Sequence, residues 1–157
     1  MSDSTFDPQS FLAFTTEEAS TKRPPLPAGK DYVGSITDLK PRPWTKKDDP
    51  TKSGLALDVI IQIDLNAYPQ EKDLTGTDRI TLQDNIFLDT KDNDGKTIDM
   101  SPGKNSKLRR YREALGMNEP GKPFSFNMMI GRLIRVKIKH DPYEGEIYDR
   151  VDSIAKA

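Results

Sequence analysis

The chain has 157 residues, 34% of them hydrophobic and 31% charged, with a formal net charge of −1 and no cysteine. That length suits one domain with appendages, and so much charge leaves room for only a small, well-solvated core and predicts disorder in part of the chain. Without cysteine there are no disulfides, thiolate nucleophiles or thiolate zinc sites; no apolar run approaches the roughly 18 residues of a bilayer crossing and no charged-then-apolar leader opens the stretch, so a soluble cytoplasmic protein is expected.

The near-neutral charge conceals blocks. Residues 1–20 carry four acids and no Lys or Arg, whereas residues 57–100 hold ten acids against four bases. Lys40, Arg42, Lys46, Lys47 and Lys52 face only Asp48 and Asp49 within their segment, residues 104–112 carry five cations without an acid, and residues 132–139 add four more. A fold can gather such blocks into one basic face, so the overall balance does not exclude a polyanion ligand.

In chain order, residues 1–28 are rich in Ser, Thr and acids and end in "KRPPLPAG". This predicts a flexible, acidic, proline-containing arm leading into a domain over residues 29–157. Phe6, Phe11, Leu12 and Phe14 are more apolar than a spacer requires and suit docking on the domain or on a partner. "DYVGSITDL" alternates Tyr32, Gly34 and Ile36 with Val33, Ser35 and Thr37, a first strand. "KPRPWTKKDDPTKSG", with three prolines and a glycine, reads as a long loop. "LALDVIIQIDL" is the strongest strand, with Leu57, Val59, Ile61, Ile63 and Leu65 on one face. After a polar loop holding Tyr68, Pro69 and Gly76, "RITLQDNIFLD" supplies a third strand, and "DNDGKTI" carries the Asp-Gly signature of a tight turn.

The period then changes. In "NSKLRRYREALGM", Leu108, Tyr111 and Leu115 fall at i, i+3 and i+7, Asn105 or Ser106 can cap the start and Gly116 can end it, which predicts a helix of about three turns. "GRLIRVKIKHDPYEGEIYDRVDSI" returns to period two. Two strands are expected near residues 133–139 and 146–154, joined by "HDPYEG". Three strands, a helix and two strands make a mostly β chain, and the order is that of a five-stranded oligonucleotide-binding (OB) barrel with its helix between strands three and four.

Catalytic chemistry finds little support. His140 is the only histidine and stands at a strand end before Asp141 and Pro142, which suits loop stabilisation. Reading "TKDNDG" as a calcium loop puts Thr90 and Ser101 at the two end-ligand positions, and both fail. "SPGKNSK" lacks the spacing of a phosphate loop, and the central acids lack a characteristic magnesium spacing. The expectation is a non-enzyme without cofactor or metal.

Basic residues interleaved with aromatics remain. The first loop offers Arg42, Trp44, Lys46, Lys47 and Lys52; the last strand pair offers Arg135, Lys137, Lys139, Tyr143, Tyr148 and Arg150. In an OB barrel these segments flank one groove, and single strands need cations for phosphates and flat rings for bases. Blander roles stand beside each: Trp44 can pack on the barrel rim, strand tyrosines can cover core edges, and the cations of residues 132–139 and of "KLRRYRE" can merely solvate. The competing function is an OB-type module for protein interaction or structure without nucleic acid. A small nuclease or nuclease accessory subunit is a third class, weakened by the missing metal spacing.

"LPAGKDYVGSITDL", "LRRYREALGM" and "FNMMIGRLIRVKIKHDPYEGEIYDRVDSI" together resemble the small single-stranded-DNA-binding proteins of tailed phages and prophages, over about residues 24–154. The resemblance implies non-catalytic binding and protection of single-stranded DNA during phage DNA replication and recombination, in the host cytoplasm, with replication or recombination proteins as further partners. Many such proteins end in an acidic tail that recruits partners and competes with DNA. "DSIAKA" is neither long nor strongly acidic, and the acidic, Phe-bearing N-terminal arm is the candidate to take that place.

Overall fold

The computed structural model describes residues 5–51 and 53–157. Strands β1 (Asp31–Thr45), β2 (Ser53–Asp64), β3 (Arg79–Leu88), β4 (Leu133–Tyr143) and β5 (Glu146–Ala155) form one antiparallel sheet in the order β3-β2-β1-β4-β5. Among the described residues three α-helices accompany it: α1 (Pro8–Leu12), α2 (Pro69–Thr75) and α3 (Ser106–Ala114), the last standing between β3 and β4 in the chain as the OB order requires. β3 and β5 are the two ends of the sheet, and α3 touches both. Both also line a single cleft without pairing, so the sheet curls like a barrel whose last seam stays open.

Alternation builds the inner face. Leu57, Val59, Ile61 and Ile63 of β2, Ile80, Leu82, Ile86 and Leu88 of β3, and Ile134, Val136 and Ile138 of β4 are all buried in one core with Tyr32 and Ile36 of β1. β1 divides its partners: Asp31 to Ser35 pair with β4, and Ser35 to Thr45 pair with β2. Gly34 stands at the hand-over, one turn of the pleat before a register shift between Ile36 and Asp38. A Cβ there would lie 2.7 Å from Ile61 Cγ2 and 2.9 Å from the Gln62 carbonyl oxygen, so only glycine lets the two strands approach this closely.

α3 closes the core with Leu108 and Tyr111. The Asn105 side chain does not cap the helix as expected. It accepts from the Asp89 N–H (2.7 Å) and donates to the carbonyls of Asp89 (3.0 Å) and Asp99 (2.9 Å), clasping the helix start to the end of β3. From inside the helix, the Tyr111 hydroxyl donates to Asp84 Oδ2 (2.5 Å) and Lys107 Nζ to Asp84 Oδ1 (2.8 Å). Burial and the adjacent Asp84 carboxylate push the Tyr111 phenol far above its ordinary pKa.

Three local expectations are corrected. The proline-rich segment is strand rather than loop as far as Thr45. Pro41 and Pro43 are two apart, so their missing N–H groups fall on one edge, and among the described residues β1 has only β2 as a partner there; the ladder to β2 is therefore unbroken. The polar stretch after β2 forms a 3-10 turn (Leu65–Ala67) and then α2, started by Pro69 and ended by Gly76 at φ 70. "HDPYEG" is not a loop either: β4 runs to Tyr143 and the turn is Glu144 (φ 50) and Gly145 (φ 80), the two-residue hairpin turn whose twist matches the strands. The chain does turn at Asp94 and Gly95 (φ 68), but as the end of a longer loop that holds a 3-10 turn (Lys91–Asn93) and is closed by an isolated Thr90–Ile98 bridge, not as a two-residue hairpin turn.

The core reaches back into the proline-rich end of the arm. Leu26 is fully buried, and Arg23 forms a two-pronged pair with Asp149 of β5 (2.7 and 3.0 Å), whose Oδ2 also accepts from the Leu26 N–H. His140 Nε2 lies 2.7 Å from the Leu26 carbonyl oxygen, which gives the lone histidine a structural contact. Phe6 and Phe11 touch each other at 5.5 Å between ring centroids, yet both are exposed, as are Leu12 and Phe14. No helix among the described residues is long and apolar enough to cross a membrane.

Candidate nucleic-acid interface

The same pleat that fills the core turns a second set of side chains outward. Cross-strand register places Trp44 opposite Gly54, aligns Arg42, Ala56 and Phe87 across β1, β2 and β3, and aligns Lys40, Asp58 and Asn85 one step further on. Small residues at the middle of this face leave room for rings at its side. The Trp44 indole lies on Gly54, where a Cβ would come within 2.9 Å of its Nε1, and it meets Phe87 edge to face with centroids 5.8 Å apart. Phe87 is 58% exposed. The result is a two-ring platform on an open sheet face. Trp44 therefore sits on a strand, half-buried, and not in the flexible loop expected; its Nε1 is buried and has no hydrogen-bond partner among the described residues.

Charge surrounds the rings. Arg42 Nε is 2.8 Å from Asp58 Oδ2, while Asp58 Oδ1 is buried without a partner among the described residues. Lys46 and Lys47 are exposed in the connection between β1 and β2; Lys52 lies outside the described residues. On β4, Arg135, Lys137 and Lys139 point away from the core as the alternation requires, since Ile134, Val136 and Ile138 are buried between them. Lys139 stands directly opposite Arg150, whose nearest carboxylate is Asp141 at 3.6 Å. Lys139 and Arg150 share the cleft between β3 and β5 with Phe87, Lys107, Asp84 and Asp141. Arg135 and Lys137 stand lower on β4, opposite Val33 and Asp31 of β1, and do not line that cleft.

The two tyrosines differ. Tyr143 is exposed at the hairpin tip. Tyr148 has the Lys22 ammonium 4.6 Å above its ring and donates its hydroxyl to Glu146, whose hydrogen bond and negative charge raise the phenol pKa. Lys22 also donates to the Ile147 carbonyl (2.6 Å), so the end of the arm covers one face of Tyr148.

The structure thus brings Arg42 and Trp44 together on one side of Phe87, and Lys139 and Arg150 on the other. Phe87 and Lys107 extend the set named from the sequence. Phe87 had a signal: Thr81, Gln83 and Asn85 occupy the polar face of β3, and Phe87 is the one large ring in that row. Among the described residues no cluster of three or more His, Asp or Glu side chains could hold a metal ion. No protein-family model matches the chain, and no curated protein matches it.

Proposed function

We propose that the chain binds single-stranded DNA non-catalytically on the outer face of β1, β2 and β3, covering strands during phage DNA replication and recombination. The observation that carries this reading is the Trp44–Phe87 platform, flanked by Arg42, Lys46 and Lys47 on one side and by Lys139 and Arg150 on the other. Exposed rings accept bases of any sequence, and the cations beside them track the backbone; each stacked base contributes roughly 1–3 kcal/mol. The core does not use these rings: its inner face is filled by other side chains, and neither Trp44 nor Phe87 belongs to it.

Trp44 is the only tryptophan, so the test has an intrinsic reporter. Adding a single-stranded oligonucleotide should quench its fluorescence, and Trp44→Ala should weaken binding by about 1–3 kcal/mol while the protein still unfolds cooperatively. Absence of binding by the wild-type protein at low salt would remove the reading and leave the protein-interaction module in its place.

A further inference from the structure

The open seam of the sheet is a cleft of about 560 Å³ into which three separate elements deliver a cation: Lys107 from α3, Lys139 from β4 and Arg150 from β5. Lys139 and Arg150 are directly opposed in the β4–β5 ladder, an arrangement that destabilises a sheet when nothing lies between the like charges. Their counter-ions are few. Asp84 is already occupied by Tyr111 and Lys107, Asp141 reaches Arg150 only at 3.6 Å with both side chains about half exposed, and Lys139 makes no ion pair among the described residues. One position further along the same face of β4, Lys137 stands opposite Asp31 instead, a pairing of opposite charges.

We propose that this cleft is a phosphate seat, with the sugar-phosphate backbone of a bound strand passing between β3 and β5. One phosphate lies between Lys139 and Arg150, within the field of Lys107, while a base rests on Phe87 in the same wall and its neighbour on Trp44. The proposal rests on the single-strand reading and adds a path to it: the strand leaves the platform through the open seam, and the outward cations of β4 divide into one that touches phosphate, Lys139, and two that do not, Lys137 and Arg135. The seam stays free of backbone pairing at the point where the ligand needs room.

Salt dependence tests the seat. Binding of single-stranded oligothymidylate is followed by Trp44 fluorescence over a range of salt concentrations for the wild type, Lys139→Gln, Arg150→Gln and Lys137→Gln. Each phosphate contact on a single strand contributes about −0.7 to the slope of log K against log salt. Lys139→Gln and Arg150→Gln should each make the slope shallower, by up to the roughly 0.7 of the one phosphate they share, with full quenching still reached at saturation, and Lys137→Gln should keep the wild-type slope. If the wild type binds but Lys139→Gln and Arg150→Gln retain its slope, or Lys137→Gln loses as much as they do, the seat is wrong and the platform survives. If the wild type does not bind, the single-strand reading fails and the seat with it. Lys139 and Arg150 are exposed, so melting curves of the variants should stay close to the wild type.

Discussion

The two halves of β1 are made of the same alternating pattern, yet they carry different work. From Asp31 to Ser35 the strand is paired with β4, and Tyr32 and Gly34 face a filled core. Beyond the register shift it has β2 alone for a partner, and its outward residues Arg42 and Trp44 build a surface. A side chain enclosed by neighbours has no room to move, so a change there is felt as lost stability. A ring lying on a sheet face can lift away, and a change beneath it is felt chiefly as lost binding.

The largest expected effect breaks the first half. Gly34→Ala sets a methyl 2.7 Å from Ile61 Cγ2 and 2.9 Å from a backbone oxygen that cannot turn aside. Overpacking of this kind costs about 3 kcal/mol, which urea or thermal unfolding would register as a clear drop. A variant as stable as the wild type would show that β1 and β2 can separate at the hand-over.

Gly54→Ala is the matching change in the second half. Its methyl would come within 2.9–3.1 Å of three atoms of the Trp44 indole, but that neighbour is a side chain lying on the surface. The ring should be displaced into solvent with a stability loss of less than about 1 kcal/mol. Tryptophan emission should shift to the red, and single-strand affinity should fall by up to the roughly 1–3 kcal/mol of a lost stack. Equal stability losses at Gly34 and Gly54 would erase the distinction between the halves.

The smallest effect lies at the edge of the sheet. Burial opposes ionisation of Asp149, but the Arg23 guanidinium and the Leu26 N–H outweigh it and hold the carboxyl below its ordinary value of 3.8. A depressed carboxylate contributes stability that is complete above pH 3.8 and is lost as pH falls through the folded-state value. Asp149→Asn should therefore cost about 1 kcal/mol near neutral pH and flatten the acid limb of the stability profile. Unfolding curves at neutral and acidic pH would measure both. Single-strand affinity at neutral pH should change little, because Asp149 does not line the cleft; a large loss would tie the arm to the site.

The core was legible in the alternation of β2 and β4 and in the i, i+3, i+7 spacing of Leu108, Tyr111 and Leu115. Trp44, Arg42, Lys139 and Arg150 were legible as candidates, since a tryptophan among prolines and lysines serves no core. What could not be read was Trp44's seat, because Gly54 and Phe87 become its neighbours only through the β1–β2–β3 register. The prolines concealed that register: they look like chain breakers, and they break nothing on a strand edge that has no partner.

By itself the sequence determined the chain order of the five strands and α3 and the alternating faces of β2 and β4, since each follows from spacing along a local backbone. The tertiary structure alone decided that β1 changes partners at Gly34, that Leu26 and Arg23 fasten the arm to β5, and that β3 and β5 stand apart with Lys107, Lys139 and Arg150 between them. These are encounters between residues far apart in the chain, set by sheet curvature and by how closely two backbones can approach, and periodicity within one segment carries no information about either.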